Sequence, residues 1–138
     1  MRIDYTELIK KALEARRNAY VPYSGYQVGA ALLTADNKIY CGCNVENASY
    51  GATNCAERTA FFKAVSEGER KFEAIAIAGG LCEKTITDYA WPCGICRQVM
   101  QEFCEPDFKI IVAKSEEEYQ VMSLEELLPH GFGGDSIA

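Results

Sequence analysis

The chain has 138 residues, 49% of them apolar and 25% charged, with a formal net charge of −6. This is an ordinary globular composition, and the length suits one domain over residues 1–138 that buries roughly two thirds of its unfolded surface. No apolar run approaches a membrane span, and no block of Lys or Arg offers a seat for a polyanion. Met1-Arg2-Ile3-Asp4 leads into no apolar secretory core. The expectation is a cytoplasmic protein acting on a small neutral molecule, with neither a nucleic acid polymer nor a membrane as partner.

Asp4-Tyr5-Thr6-Glu7 has the form of a helix start, a capping residue with a carboxylate three positions on. Leu8, Ile9, Ala12, Leu13 and Arg16 continue at helical spacing, and Pro22 marks the break. Residues 27–34 and 38–43 are apolar stretches around Ala35-Asp36-Asn37, which predicts a β-hairpin. A polar loop over 44–54 leads to a second helix at about 55–67, closed by Gly68. Residues 72–78 read as a buried strand ended by Gly79-Gly80. After a loop, Pro92 suits the start of a third helix over about 93–103. Residues 109–113 form another buried strand and 119–122 a weaker one. Ser123-Leu124-Glu125-Glu126 is a capping box opening a short helix that Pro129 ends. Strands alternating with helices imply a layered α/β domain with a mixed sheet.

Seven cysteines is a high and odd count. In a chain able to build a core, clustered thiols point to metal binding or chemistry rather than to a disulfide framework. Two segments carry them: Thr53-Asn54-Cys55-Ala56-Glu57-Arg58 and Trp91-Pro92-Cys93-Gly94-Ile95-Cys96-Arg97-Gln98. Cys-x-x-Cys at a helix start lets both sulfurs reach one ion, where first-turn N–H groups and the helix dipole favour thiolates. Cys55 occupies the equivalent place on the other helix. Three thiolates leave the fourth zinc position open for water, the arrangement of a catalytic site. Glu57 stands beside the metal without ligating it, placed to take a proton from activated water and deliver it to a leaving group.

Three thiolates on Zn²⁺ leave a charge of −1, which raises the pKa of bound water relative to imidazole ligands. Two helix N-termini offset part of this. Arg58, three residues after Cys55, is the candidate for the rest, with Arg97 as the alternative. Other readings stand beside this one: Cys55 as a core thiol, Cys93 and Cys96 as a redox pair, or a four-cysteine knot using Cys41 or Cys43. Cys41 and Cys43 alternate on a strand and share a face, so packing suits them. Cys82 and Cys104 are assigned to packing or surface, and His130 to surface or interface.

At these residues the sequence resembles the small, homotetrameric class of cytidine deaminase. The resemblance runs from Pro22-Tyr23-Ser24-Gly25-Tyr26-Gln27-Val28-Gly29 through Gly42-Cys43-Asn44-Val45-Glu46-Asn47 and both cysteine segments to Leu127-Leu128-Pro129. It implies a three-layer α/β/α domain with a five-stranded mixed sheet, and one zinc per subunit on Cys55, Cys93 and Cys96. Catalysis by Glu57 would hydrolyse cytidine and deoxycytidine to uridine and deoxyuridine plus ammonia, in pyrimidine salvage. Asn44 and Glu46 match the pair that binds the ribose hydroxyls, and Ala56 the residue whose N–H meets the base carbonyl. Tyr26 falls where the family usually has Phe beside sugar and base, and Trp91 and Ile95 are bulkier than the family's usual Ser and Ala. Tyr50 and Phe132 match residues that reach a neighbouring subunit's pocket.

Two rivals follow from the same motifs. A blasticidin-type aminonucleoside deaminase lacks a segment like Asn44-Val45-Glu46-Asn47. A non-catalytic, zinc-stabilised binding module has no use for an open coordination position beside Glu57.

Overall fold

The computed structural model describes residues 3–137. Helix α1 (Tyr5–Ala15) is capped by Asp4, whose carboxylate accepts from the Glu7 N–H at 3.1 Å. It buries Leu8, Ile9 and Ala12 and ends in a 3₁₀ turn at Arg16–Asn18. Strands β1 (Tyr26–Thr34) and β2 (Ile39–Cys43) form the expected antiparallel hairpin, with Asn37 at φ 66° in its turn. Helix α2 (Ala56–Ser66) follows a second 3₁₀ turn at Tyr50–Ala52. Then come β3 (Phe72–Leu81), α3 (Gly94–Phe103), β4 (Lys109–Ala113) and β5 (Tyr119–Ser123). The short α4 (Leu124–Leu127) starts on the complete capping box between Ser123 and Glu126, and α5 (Gly134–Ile137) closes the described chain.

The five-stranded sheet runs β2-β1-β3-β4-β5, with β3 and β4 parallel and every other pair antiparallel. Strand alternation divides the side chains into two cores. Ile75, Ile77, Ile110 and Val112 meet α2 and α3 through Phe61, Ala60 and Met100. The opposite face offers Ala31, Ala74, Ala76 and Ala78 to Leu8, Ile9 and Ala12 of α1. The run of alanines on this face lets α1 lie close to the sheet. At Gly29 the approach is closest, since a Cβ there would run into the Ala12 carbonyl oxygen and the Arg16 N–H. The layers are α1, sheet, and α2 with α3.

Three expectations shift. The strand predicted to stop before Gly79-Gly80 runs through both glycines, which pair with Val28 and Gln27. Neither glycine makes a turn: a Cβ on Gly79 would sit 3.0–3.1 Å from Ala90, Val28 and Tyr26, so this glycine provides room. The helices predicted to begin at Cys55 and Cys93 begin one residue later, with each cysteine as the extended N-cap. Pro92 therefore precedes the cap of α3 instead of opening its first turn.

Topology places the site. Both β2 and β3 run antiparallel to β1, so they point the same way. Each is followed by a helix on the same face of the sheet, and the N-termini of α2 and α3 converge over the carboxyl ends of the strands. This is where α/β sheets form binding crevices.

Candidate active site

Cys55, as N-cap of α2, and Cys93, as N-cap of α3, bring their sulfurs to 3.8 Å. Cys96, one turn into α3 and 1% exposed, lies 3.5 Å from Cys93 through its sulfur. All three sulfurs fall within 4.8 Å of one another, the one such His, Cys, Asp or Glu group among the described residues. Tetrahedral coordination at a Zn–S distance of about 2.3 Å separates sulfurs by roughly 3.8 Å. The spacing and the soft donors fit zinc.

The charge arrangement fits as well. The Arg58 guanidinium donates from Nη2 to the Cys55 sulfur at 3.1 Å. A hydrogen bond from Cys96 and then Arg58 hold the Cys55 thiol down at about 5. The bond to Cys55, burial and the nearby Glu57 push the Cys96 thiol up. These sulfurs share protons, and a divalent cation would replace them. Among the described residues, Nε of Arg58 is the one buried side-chain nitrogen or oxygen without a partner. Arg97 takes no part in this: its Nε donates to the Pro92 carbonyl at 2.8 Å and its Nη1 to the Leu127 carbonyl at 2.7 Å. The alternative charge donor is thus a backbone clamp.

Glu57, in the first turn of α2, is 5% exposed. Burial pushes its carboxyl up to about 7, and the Cys55 sulfur acts in the same direction. It lines a cavity of about 460 Å³ together with Cys55, Cys93, Ala56, Tyr26 and Asn44. Val28, Thr53, Asn54, Tyr89, Ala90 and Trp91 complete the wall. Trp91 therefore spends its extra bulk on this wall, while Ile95 is 60% exposed.

The remaining candidates divide. Asn44 accepts from the Val28 N–H at 2.8 Å and donates to the Tyr26 carbonyl at 2.9 Å, which fixes its amide at the end of β1. The additional hydroxyl of Tyr26 donates to the Gly79 carbonyl at 3.2 Å, so the ring is pinned to β3 at the cavity edge. Glu46 stands in an adjoining depression with Tyr23, Ser24, Asn47, Tyr50 and Thr53. Its Oε1 accepts from the N–H groups of Tyr23 and Ser24 at 3.0 and 3.1 Å, and its Oε2 from the Ser24 hydroxyl. Those bonds, the Ser24 hydroxyl first, hold its carboxyl below the usual range. Tyr50 is 79% and Phe132 57% exposed, and neither lines the cavity with Glu57.

Ser24 is the residue that reading the sequence missed. Its oxygen also accepts from the Tyr26 N–H at 3.0 Å, so it joins Glu46 to Tyr26. The signal was present in Ser24-Gly25, a turn pair whose glycine takes φ 68°. Cys41 and Cys43 lie apart from the cluster, beside Lys11 and Glu14 of α1. Cys82 and His130 are exposed, and Cys104 packs on the α2–α3 core. No helix among the described residues is long and apolar enough to cross a membrane.

The family described as the cytidine and deoxycytidylate deaminase zinc-binding region matches residues 3–113. A cytidine deaminase of Halalkalibacterium halodurans is 48% identical over 135 residues, covering 98% of each chain. A probable cytidine deaminase of Dictyostelium discoideum is 44% identical over 95% of this chain and 88% of its own. Among known structures, the cytidine deaminase of Burkholderia pseudomallei superposes with a TM-score of 0.86 at 45% identity, covering 94% of this chain and all of that one (100%). The enzyme of Mycobacterium tuberculosis gives 0.81 at 37% identity, covering 96% and 99%. Similarity of this extent, on a chain whose thiols are spaced for zinc beside a buried carboxylate, places it in the zinc-dependent cytidine and deoxycytidylate deaminase family.

Proposed function

We propose that the chain hydrolyses the exocyclic amine of free cytidine and deoxycytidine, yielding the uracil nucleoside and ammonia. The observation that carries this reading is Glu57, a buried carboxylate beside three thiols spaced for one tetrahedral ion, in a cavity of nucleoside size. Cys55, Cys93 and Cys96 would hold one zinc per chain. When bound, zinc supplies Lewis acidity and a water of lowered pKa. Glu57 moves the proton: buried in the cavity beside the thiols, it is placed to take one from water and return it to the leaving amine. Arg58 draws charge from the Cys55 sulfur.

Substrate orientation falls to the rest of the wall. The Ala56 N–H, first in α2, suits the base carbonyl. Tyr26 packs beside sugar and base, its hydroxyl occupied on Gly79. Asn44 retains one amide proton and one lone pair beyond its bonds to β1, and with Glu46 it binds the ribose hydroxyls. The exposure of Tyr50 and Phe132 supports a homotetramer in which these rings complete a neighbour's site.

Cytidine absorbance, ammonia release and zinc content should be followed on one sample. The expected result is release of ammonia by protein carrying one zinc per chain. Full zinc with no release would leave only a binding module. Cys55→Ala, Cys93→Ala and Cys96→Ala should each lose metal, and a full complement in any of them removes that residue from the ligand set. Free cytosine should be a very poor substrate, since ribose contacts hold the ring in place.

A further inference from the structure

The C-terminal segment after α4 lies along α3, the helix that carries two of the three clustered thiols. Two side chains of α3, Gln98 and Gln101, meet it, and a third, Arg97, holds the last residue of α4; the three share one edge of the helix. Gln98 donates from Nε2 to the Phe132 carbonyl at 2.7 Å. Gly131 and Gly133 lie against Gln101: a Cβ at Gly131 would come within 2.7 Å of Oε1, and one at Gly133 within 3.3 Å of Nε2. With no Cβ at either position, the backbone of the segment lies directly against the Gln101 side chain, which seats it on α3.

Arg97 connects this seat to the thiols. It is partly buried, and its two bonds reach in opposite directions along the chain. One holds the Pro92 carbonyl, which immediately precedes Cys93, and the other holds the last residue of α4, Leu127. A guanidinium has the fork geometry to serve two carbonyls at once, and a lysine does not. The Leu127 bond also satisfies a carbonyl at a helix end, where no intrahelical partner exists.

We infer that Arg97 is a positioning residue that ties the metal-ligand loop to the segment presenting Phe132, so that metal retention and tail order depend on one side chain. Its metal arm rests on the reading of Cys93 as a ligand, and its tail arm on the hydrogen bonds alone. With Arg97 gone, the Pro92 carbonyl loses its anchor and the Cys93 sulfur loses its fixed approach. Leu127 is freed by the same change, and the segment around Phe132 is then held by Gln98 and Gln101 without the anchor at α4.

The test uses the zinc-loaded protein and two readouts besides turnover. Zinc affinity is measured by chelator competition, and tail order by hydrogen–deuterium exchange of the peptide covering 128–137. Arg97→Ala should weaken zinc roughly 10-fold or more, in the range for groups that orient metal ligands, and speed exchange in the tail. Gln98→Ala should speed tail exchange and leave zinc affinity unchanged, which a general loss of stability would not do. Arg97→Lys, which keeps charge and folding, should fall between Arg97→Ala and the parent in both readouts. Wild-type zinc affinity in Arg97→Ala and Arg97→Lys overturns the inference, and so does unchanged tail exchange. Cys93→Ala serves as the separate arm: full zinc there rejects the ligand set and not the tail clamp.

Discussion

Glu57 and Cys55 lie two positions apart, and the fold drives their proton affinities in opposite directions. Cys55 is held at about 5 by donors, and Glu57 is pushed to about 7 by burial. A thiol held low suits a metal ligand, and a buried carboxyl held high suits a proton carrier. Glu57→Gln keeps size and burial while removing the proton carrier. It should retain zinc and fold and lose roughly 100- to 10,000-fold in kcat; a variant with a tenth of the parental kcat removes Glu57 from the proton path. Glu46 supplies a pH test. Its carboxyl lies below the ordinary value because the Ser24 hydroxyl and two N–H groups stabilise the charged form. That form is present above the folded pKa and lost as pH falls through it. Ser24→Ala removes the leading cause, so with Glu46 binding the ribose as proposed, the acid limb of kcat/KM should move to higher pH. An unmoved limb would disconnect Ser24 from substrate binding.

Helix starts carry the site, and their positions were legible because caps and spacing are local. Both cysteine segments mark the beginnings of α2 and α3 to within one residue, and the capping box at Ser123 forms as its sequence requires. Gly79-Gly80 read as a stop because glycine is a local breaker, yet Gly79 makes room for Ala90, Val28 and Tyr26 and Gly80 for Ile86. Only long-range neighbours distinguish those uses. Gly42 gives the testable instance. A Cβ there would lie 2.5 Å from both the Ala56 carbonyl oxygen and the Ala60 N–H, backbone that cannot turn aside. Gly42→Ala should therefore push α2 outward, destabilise by about 1–3 kcal/mol, and weaken zinc by shifting Cys55. Gly51, whose Cβ would meet nothing within 4 Å, is the control. Equal melting temperatures for Gly42→Ala, Gly51→Ala and the parent would show that α2 tolerates the shift.

At the scale of the whole molecule, the aromatic rings outside the cavity invite a mixing experiment. Phe132→Ala chains keep Glu57 and Glu57→Ala chains keep Phe132, so each pure assembly should be impaired. In the proposed homotetramer, co-refolded mixtures should regain activity, below the parental level, as sites form that combine an intact thiol cluster from one chain with Phe132 from another. No recovery, with mixed assemblies verified by mass and Phe132→Ala impaired alone, would mean that the ring serves its own chain.

The sequence by itself determined the donor types, their spacing within each segment, and the helix caps that turn thiols toward N-termini, since these depend on residues a few positions apart. It also indicated Glu57 and Arg58, one helical turn from Cys55. Tertiary structure decided that Cys55 and Cys93, 38 residues apart, meet at 3.8 Å. It also decided that Arg97 clamps carbonyls instead of sulfurs, that Tyr26 spends its hydroxyl on Gly79, and that Ser24 grips Glu46. The reason is physical. β2 and β3 flank β1 and point the same way, and the helix after each packs on one face of the sheet, which sets two distant helix starts side by side.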